Sequence, residues 1–80
     1  MDKIEIQEKL VEILSRHTSV DPSAVTPEKH LKFDLGLDSL DMYEMIYEIE
    51  TEFGVKIPDS EIASLTTVGD LISFIDSKKA

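Results

Sequence analysis

The feature that most constrains the fold is an amphipathic stretch in the middle of the chain, at residues 39–53. At about 100° per residue, a helix over this stretch has one apolar and one acidic face. The apolar face comprises Met42, Met45, Ile46, Ile49 and Phe53, the acidic face Asp41, Glu44, Glu48 and Glu52, and a strip between them Leu40, Tyr43 and Tyr47. Asp38 is a favourable N-cap, and Gly54 suits the left-handed residue that ends a helix. The pattern therefore predicts a helix from Ser39 to Phe53.

Capping residues predict three other helices, and in the first and last of these apolar residues also recur at helical spacing. The predicted bounds are residues 3–16 after Asp2, residues 60–64 after the N-cap Asp59, and residues 68–77 after the capping-box pair Thr67 and Asp70. With the central helix, these elements predict an all-α fold. The expected architecture is a small four-helix bundle of three longer helices and one short one.

A long loop of about 22 residues, 17–38, connects helices one and two in this prediction. Residues 21–25 are compatible with one helical turn, because proline stands at its first position. Further along, apolar residues alternate with polar or small ones at Leu31, Phe33, Leu35 and Leu37. Since no partner strand is evident, we expect an extended loop that tucks these side chains under the bundle. Loops this long in small domains are often functional.

The chain has 80 residues, no cysteine and two histidines. This length predicts a single domain, residues 1–80, with one small core. Without cysteine, disulfides and thiolate metal sites are excluded, and we predict no metal site. The charged N-terminus does not resemble a signal peptide, and no apolar run is long enough to span a membrane. The sequence therefore favours a cytoplasmic protein that does not insert into membranes.

The net charge is −9, and residues 33–61 hold nine acids and one base, a net of −8. Nucleic acid repels so acidic a surface, so we predict no nucleic-acid partner. Acidic surfaces can serve solubility alone. Concentration of the charge around one helix also favours the steering of basic partners.

Ser39 stands where the long loop becomes the central helix. Its hydroxyl is expected to point outward at the positive end of the helix dipole, where a phosphate is favoured. A serine nucleophile needs a base, but no spacing brings His17 or His30 to Ser39, and no oxyanion-hole glycine motif is present. We therefore predict no enzymatic activity. Ser39 is either an ordinary residue of a capped helix or a site that another enzyme modifies.

Residues 35–41, LGLDSLD, resemble the phosphopantetheine attachment motif of the acyl carrier proteins. Supporting segments are Glu44 and the runs ETEFG at 50–54, IPD at 57–59 and TTVGDL at 66–71. The resemblance extends over essentially the whole chain in length, helix pattern, charge and loop position. Taken in this order, the segments are far more specific than a lone Asp-Ser-Leu.

The resemblance implies that Ser39, flanked by Asp38 and Leu40, carries 4′-phosphopantetheine, which a separate phosphopantetheinyl transferase adds from coenzyme A. The arm's thiol would hold acyl groups as thioesters. Expected partners are acyl-loading, ketosynthase, reductase or acyltransferase enzymes with basic docking patches, and the expected state is a monomer. The expected partner-binding residues are Leu40, Asp41, Glu44, Tyr47, Glu48 and Ile62, and the expected lining of an acyl cavity is Met42, Tyr43, Met45, Ile46 and Ile62.

Two tyrosines depart from the pattern of the carriers that serve fatty-acid synthesis. That type more often has a small or aliphatic residue in place of Tyr43 and methionine in place of Tyr47. We expect Tyr43 at the edge of the core, and Leu40 and Tyr47 exposed as partner contacts. The pathway stays open between fatty-acid synthesis and a polyketide, aryl or other specialised route. The alternative function is an unmodified acidic helical adaptor that binds basic partners.

Overall fold

Four α-helices and one turn of 3₁₀ helix form the described part of the chain, residues 2–79, in this computed structural model. Their bounds are α1 Lys3–Ser15, the 3₁₀ turn Pro22–Ala24, α2 Ser39–Phe53, α3 Asp59–Ile62 and α4 Val68–Lys79. Within residues 2–79 there is no strand, only an isolated antiparallel bridge between His30 and Thr67. The all-α prediction, with three longer helices and one short one, is confirmed.

The apolar faces of the three longer helices meet in one core. Helix α1 packs against both α2 and α4. The buried residues of these helices are Ile6, Leu10, Ile13 and Leu14 of α1, Met42, Met45, Ile46, Ile49 and Phe53 of α2, and Val68, Leu71, Ile72 and Ile75 of α4. No polar or charged residue of the described chain is buried. Apolar burial is therefore the main force that holds the bundle together.

The ends of α2 follow the prediction from sequence. Asp38 accepts a hydrogen bond from the backbone N–H of Asp41 at 2.8 Å, and the Asp41 carboxylate accepts one from the backbone N–H of Asp38 at 3.3 Å. This reciprocal pair is a capping box. At the other end, Gly54 adopts the left-handed conformation with φ of 67°.

The other helices differ from prediction at their ends. Helix α1 ends at Ser15, one residue earlier than predicted. The prediction that Asp59 caps α3 is wrong, because α3 begins at Asp59 itself, directly after Pro58, and has no side-chain cap. Proline before the helix is held in an extended conformation, with ψ of 149°, which sets the boundary there. Helix α4 continues to Lys79, whose ammonium group donates to the carbonyl oxygen of Phe53 at 2.9 Å.

Residues 30–37 form a compact turn, so the predicted extended conformation is wrong. Backbone N–H groups of Asp34 and Leu35 both donate to the carbonyl oxygen of His30, at 3.0 and 3.1 Å. In such a turn residues 31 and 35 share one side, whereas residue 33 points the other way. Leu31, Leu35 and Leu37 are accordingly buried as predicted, but Phe33 is 85% exposed.

This turn is joined to the segment before α4. The N–H of Leu31 donates to the carbonyl oxygen of Thr66 at 2.9 Å, and that of Val68 to the carbonyl oxygen of Lys29 at 3.1 Å. Asp70 fixes the same segment, because its Oδ2 accepts from the backbone N–H groups of Thr66 and Thr67, each at 3.0 Å. The N–H of Asp70 donates to Thr67 Oγ1 at 3.1 Å, which completes the predicted capping box.

The hydrogen bonds that the Asp70 carboxylate accepts, first of all the one from the Thr66 backbone N–H, hold the pKa of this carboxyl below its ordinary value, although burial opposes them.

No helix within residues 2–79 has both the length and the apolar character needed to cross a membrane.

We expect Asp70→Ala to lower the free energy of unfolding by about 1 to 2 kcal/mol, because backbone donors lose a charged acceptor. Because folding lowers the pKa of Asp70, its stabilisation is complete above the ordinary value of 3.8 and is lost as the pH falls through the lower folded value. Urea unfolding at several pH values measures this difference. Asp76→Ala, on the same helix, is the control, and an equal loss in both variants would contradict the assigned role of Asp70.

Candidate functional site

Ser39 is the first residue of α2 and is exposed. Its position follows from the capping box, since Asp38 and Asp41 supply the side chains that satisfy the start of the helix. The Ser39 hydroxyl is not part of that pair and remains available for chemistry. The helix dipole gives this end a partial positive charge that favours an attached phosphate, whereas the carboxylates of Asp38 and Asp41 oppose it.

A cleft of about 370 Å³ opens beside Ser39. Three segments line it: the start of α2, the turn at residues 30–33, and the stretch from the end of α3 to residue 66. The lining residues are Ser39, Met42 and Tyr43, then His30, Leu31, Lys32 and Phe33, and then Ile62, Ala63, Leu65 and Thr66. This volume is at the small end of the range for ligand sites in proteins.

The residues that the resemblance assigned to an acyl cavity fall into two groups. Met42, Tyr43 and Ile62 line the cleft. Met45 and Ile46 do not line it and lie in the core, 0% and 5% exposed. Tyr43 is 60% exposed, so the prediction that it lies at the core edge is wrong. It belongs to the strip between the two faces of α2, whose three side chains are all exposed.

The predicted partner surface lies along the exposed side of α2. Leu40, Tyr43 and Tyr47 are 69%, 60% and 71% exposed, at the i, i+3, i+7 spacing of one helix side. Glu44 is exposed beside them, and Asp41 is half-buried. Ile62 of α3 is half-buried at the edge of the core. An apolar strip with an acidic border therefore runs from Ser39 along α2.

Glu48 differs from the other acids of this surface because the two residues directly after α1 contact it. Its Oε2 accepts from Nη1 of Arg16 at 2.8 Å, and its Oε1 lies 2.9 Å from Nε2 of His17. Arg16 also contacts Glu12 at 3.3 Å. The sequence did not reveal these contacts, because periodicity does not say which residues of two helices meet. Asp41 and Glu44, the acids of this surface nearest Ser39, form no ion pair with Lys or Arg among residues 2–79.

His17, Asp41 and Glu44 approach one another closely, with one potential metal-binding atom of each within 4.8 Å of the others. Two of these side chains have other partners: His17 binds Glu48, and Asp41 binds the backbone N–H of Asp38. We assign no metal to this group, and the absence of a metal site stays a prediction.

Sequence reasoning missed the part of the cleft formed by His30, Phe33, Leu65 and Thr66. The His30 and Phe33 rings stack, with centroids 4.3 Å apart and an interplanar angle of 23°. The alternating apolar residues had assigned Phe33 to the interior. The hydrogen-bonding capacity of His30 and Asp34, four residues apart, was the available signal for a turn instead.

Comparison with known proteins agrees with this geometry. A family model described as "Phosphopantetheine attachment site" matches residues 8–75. The acyl carrier protein of Thermosynechococcus vestitus is 48% identical over 80 residues, which are 100% of this chain and 99% of the relative. That of Thermotoga maritima is 45% identical over 74 residues, which are 92% and 91% of the two chains. This chain belongs to the acyl carrier protein family.

Two further relatives extend the comparison. The meromycolate extension acyl carrier protein of Mycolicibacterium aurum is 48% identical over 71 residues, which are 89% of this chain and 73% of that one. A solved structure of the acyl carrier protein from Enterococcus faecalis has a TM-score of 0.83 and 34% identity, and the match covers 96% of this chain and 98% of that one. The four-helix arrangement is thus that of the family.

Acyl carrier proteins are carriers and not enzymes, and they hold a covalently attached 4′-phosphopantetheine group. They interact with phosphopantetheinyl transferases and with biosynthetic enzymes. The residues present fit that group. Ser39 offers an exposed hydroxyl at a helix N-terminus, and an apolar cleft lies directly beside it.

We expect Glu48→Gln to lower the free energy of unfolding by about 0.5 to 1 kcal/mol, because it weakens the contacts of Glu48 with Arg16 and His17. Glu44→Gln, one helical turn earlier, is the matched control and should leave stability nearly unchanged. Urea unfolding at low and high salt measures both variants, and salt should reduce the effect of Glu48→Gln. Equal free energies of unfolding for the two variants would show that the contacts of Glu48 with Arg16 and His17 contribute no stability.

Proposed function

We propose that Ser39 carries the 4′-phosphopantetheine arm through a phosphodiester. The observation that supports this most directly is the position of Ser39: an exposed first residue of α2 on the border of an apolar cleft. Asp38 and Leu40 flank it, Asp38 as the cap that fixes the helix start and Leu40 as an exposed apolar neighbour. When attached, the arm supplies a thiol that holds an acyl group as a thioester.

The cleft shelters part of the loaded acyl group in this proposal. Met42 and Ile62 offer apolar contacts within it, and Tyr43 contributes an aromatic ring at its border. Met45 and Ile46 become accessible to a longer chain when Met42, which is 6% exposed, changes its rotamer. Methionine suits such a position, because its unbranched side chain repacks at little cost.

The exposed side of α2 receives the partner enzymes. Leu40 and Tyr47 supply apolar contact area, and Asp41 and Glu44 attract basic side chains. Glu48 contributes less to this attraction, because the Arg16 guanidinium already neutralises part of its charge. Ile62 extends the surface onto α3. The partners are the transferase and acyl-loading, ketosynthase, reductase or acyltransferase enzymes with basic docking patches.

The acyl groups belong to fatty-acid or related biosynthesis, including polyketide or other specialised routes. Support for the fatty-acid branch comes from relatives whose names are acyl carrier protein and meromycolate extension acyl carrier protein. We further infer that residues 1–80 act as one carrier domain, as a monomer in the cytoplasm. A family match over residues 8–75 and one core shared by the three longer helices support the single domain.

Incubation with coenzyme A, magnesium and a broad-specificity phosphopantetheinyl transferase tests the attachment site. The intact mass should rise by one phosphopantetheine, which peptide mapping should locate on Ser39. Ser39→Ala should abolish the gain but change the free energy of unfolding by less than about 0.5 kcal/mol, because Asp38 and Asp41 still cap α2. Ser60→Ala, at another exposed serine near a helix start, is the control and should load normally.

Loading of the Ser39→Ala protein would overturn the proposal. A folded protein shown to carry no arm that still takes up none would return the chain to the alternative, an unmodified acidic adaptor whose partner binding does not depend on Ser39.

Glu44→Lys should slow association with the transferase by about threefold to tenfold at low ionic strength, because it reverses a charge beside Ser39. Rates of loading at limiting transferase, measured at low and high salt, test this. The control is Glu8→Lys, which makes the same change of charge on an exposed residue of α1. Similar slowing by both variants would indicate that net charge, and not the α2 surface, governs the encounter.

A further inference from the structure

Phe33 is the most exposed large apolar side chain among the described residues, at 85%. It is also a lining residue of the cleft beside Ser39. An apolar ring in water is unfavourable, and such a ring at the border of a pocket commonly marks a binding contact. Its neighbours Lys32 and Asp34 are polar and exposed, so no adjacent side chain of the turn covers it.

His30 holds this ring in place. The two rings are stacked at 4.3 Å. His30 Nδ1 accepts hydrogen bonds from the backbone N–H groups of Lys32 and Phe33, both at 3.1 Å. In return, the N–H of His30 donates to Asp34 Oδ2 at 2.7 Å. Phe33 is therefore exposed because of how its turn is hydrogen-bonded, and its ring stacks on that of His30.

Tyr43 borders the same cleft from α2 and is also largely exposed. It stands four residues after Ser39, so the two share one side of the helix. Leu31 and Leu65, which are 0% and 6% exposed, give the same cleft a buried aliphatic part. The cleft thus combines an aromatic border with an aliphatic interior.

These two parts of the cleft recognise different chemistry. In the aliphatic interior, the free energy gained by any apolar group is proportional to the area it buries, whether the group is flat or puckered. Aromatic rings add a preference for another flat π-system, because stacked and edge-to-face pairs gain energy beyond area burial. An acyl group that returns from an arm on Ser39 meets the ring border before the interior.

We propose that Phe33, positioned by His30, acts with Tyr43 as a specificity-determining residue that favours acyl groups with an aromatic or conjugated segment next to the thioester. This inference rests on the proposed attachment of the arm to Ser39. It concerns the first atoms of the acyl group, and the aliphatic interior accepts the remainder.

The test compares benzoyl with cyclohexanecarbonyl, two acyl groups of equal carbon number of which only the first is planar and conjugated. Each is loaded from its coenzyme A thioester by the broad-specificity transferase, and intact mass with mapping verifies the loading. Hydroxylamine then cleaves the thioester, at a rate that reports its exposure. Dividing the rate for the free coenzyme A thioester by the rate on the protein gives a protection factor that removes intrinsic reactivity.

The protection factor of benzoyl should exceed that of cyclohexanecarbonyl by about twofold to tenfold, the range that one aromatic contact provides. Phe33→Leu, which keeps an apolar side chain but removes the ring, should remove most of this difference. Ile4→Ala is the control, because Ile4 is a largely exposed apolar residue of α1 that does not line the cleft. It should retain the difference.

His30 is tested as a positioning residue. His30→Asn keeps a short acceptor for the two backbone N–H groups but removes the ring that stacks on Phe33. It should reduce the preference for benzoyl while the melting temperature stays nearly constant, and it should have no further effect in a chain that already carries Phe33→Leu. A reduced preference that persists equally in both backgrounds would overturn the role of His30.

The outcomes separate this inference from the proposed function. Failure of the wild-type chain to load at Ser39 overturns both. Normal loading with equal protection of the two acyl groups, or a benzoyl preference that survives Phe33→Leu, overturns the selectivity alone. Unchanged protection with slower loading of Phe33→Leu would make the ring a contact for the transferase and would likewise overturn it.

Discussion

The reciprocal hydrogen bonds of Asp38 and Asp41 fix the residue at which α2 begins, and the site takes its geometry from that start. Once the first residue is set, each following side chain has a fixed direction, because residues of a helix advance by about 100°. Met42 and Ile46 then face the core, Ser39 and Tyr43 border the cleft, and the acids face water. Burial of the apolar face against α1, which stabilises the protein far more than one cap does, orients the helix, and the cap decides which residue is its first.

The direction of each side chain also decides which acids of α2 meet a basic partner. The later turns face α1 and the residues that directly follow it. Arg16 and His17 contact Glu48, and Lys9 of α1 lies 3.8 Å from Glu52. Asp41 and Glu44, in the first two turns, form no ion pair with Lys or Arg among residues 2–79. Their charge near Ser39 opposes an attached phosphate but favours an approaching basic surface. The helix dipole offsets part of the first effect, because its positive end lies at the same residue.

The sequence was sufficient to predict what depends on period and caps, and insufficient for what depends on contacts between elements. The bounds of α2 could be predicted from its apolar spacing together with Asp38, the N-cap at its start, and Gly54, the C-cap at its end. The prediction that Asp59 is an N-cap was wrong because an aspartate that follows a proline is as acceptable at the first helical position as at the cap. The prediction that Phe33 is buried was wrong for a different reason. Apolar residues also alternate in sequence in a compact turn, where only some of them are buried. The contacts of Glu48 with Arg16 and His17 could not be predicted, since they depend on how α2 is rotated against the end of α1.

The two sides of the cleft differ in how firmly they are held. Helix α2 is anchored by a capping box and by buried side chains along its length. On the opposite side, hydrogen bonds from Leu31 to Thr66 and from Thr66 to Asp70 tie the turn to the segment before α4. Helix α3, between them, has four residues, no side-chain cap and no buried residue. Segments with few buried contacts open at the lowest free energy, so the cleft widens most easily where Ile62 of α3 lines it.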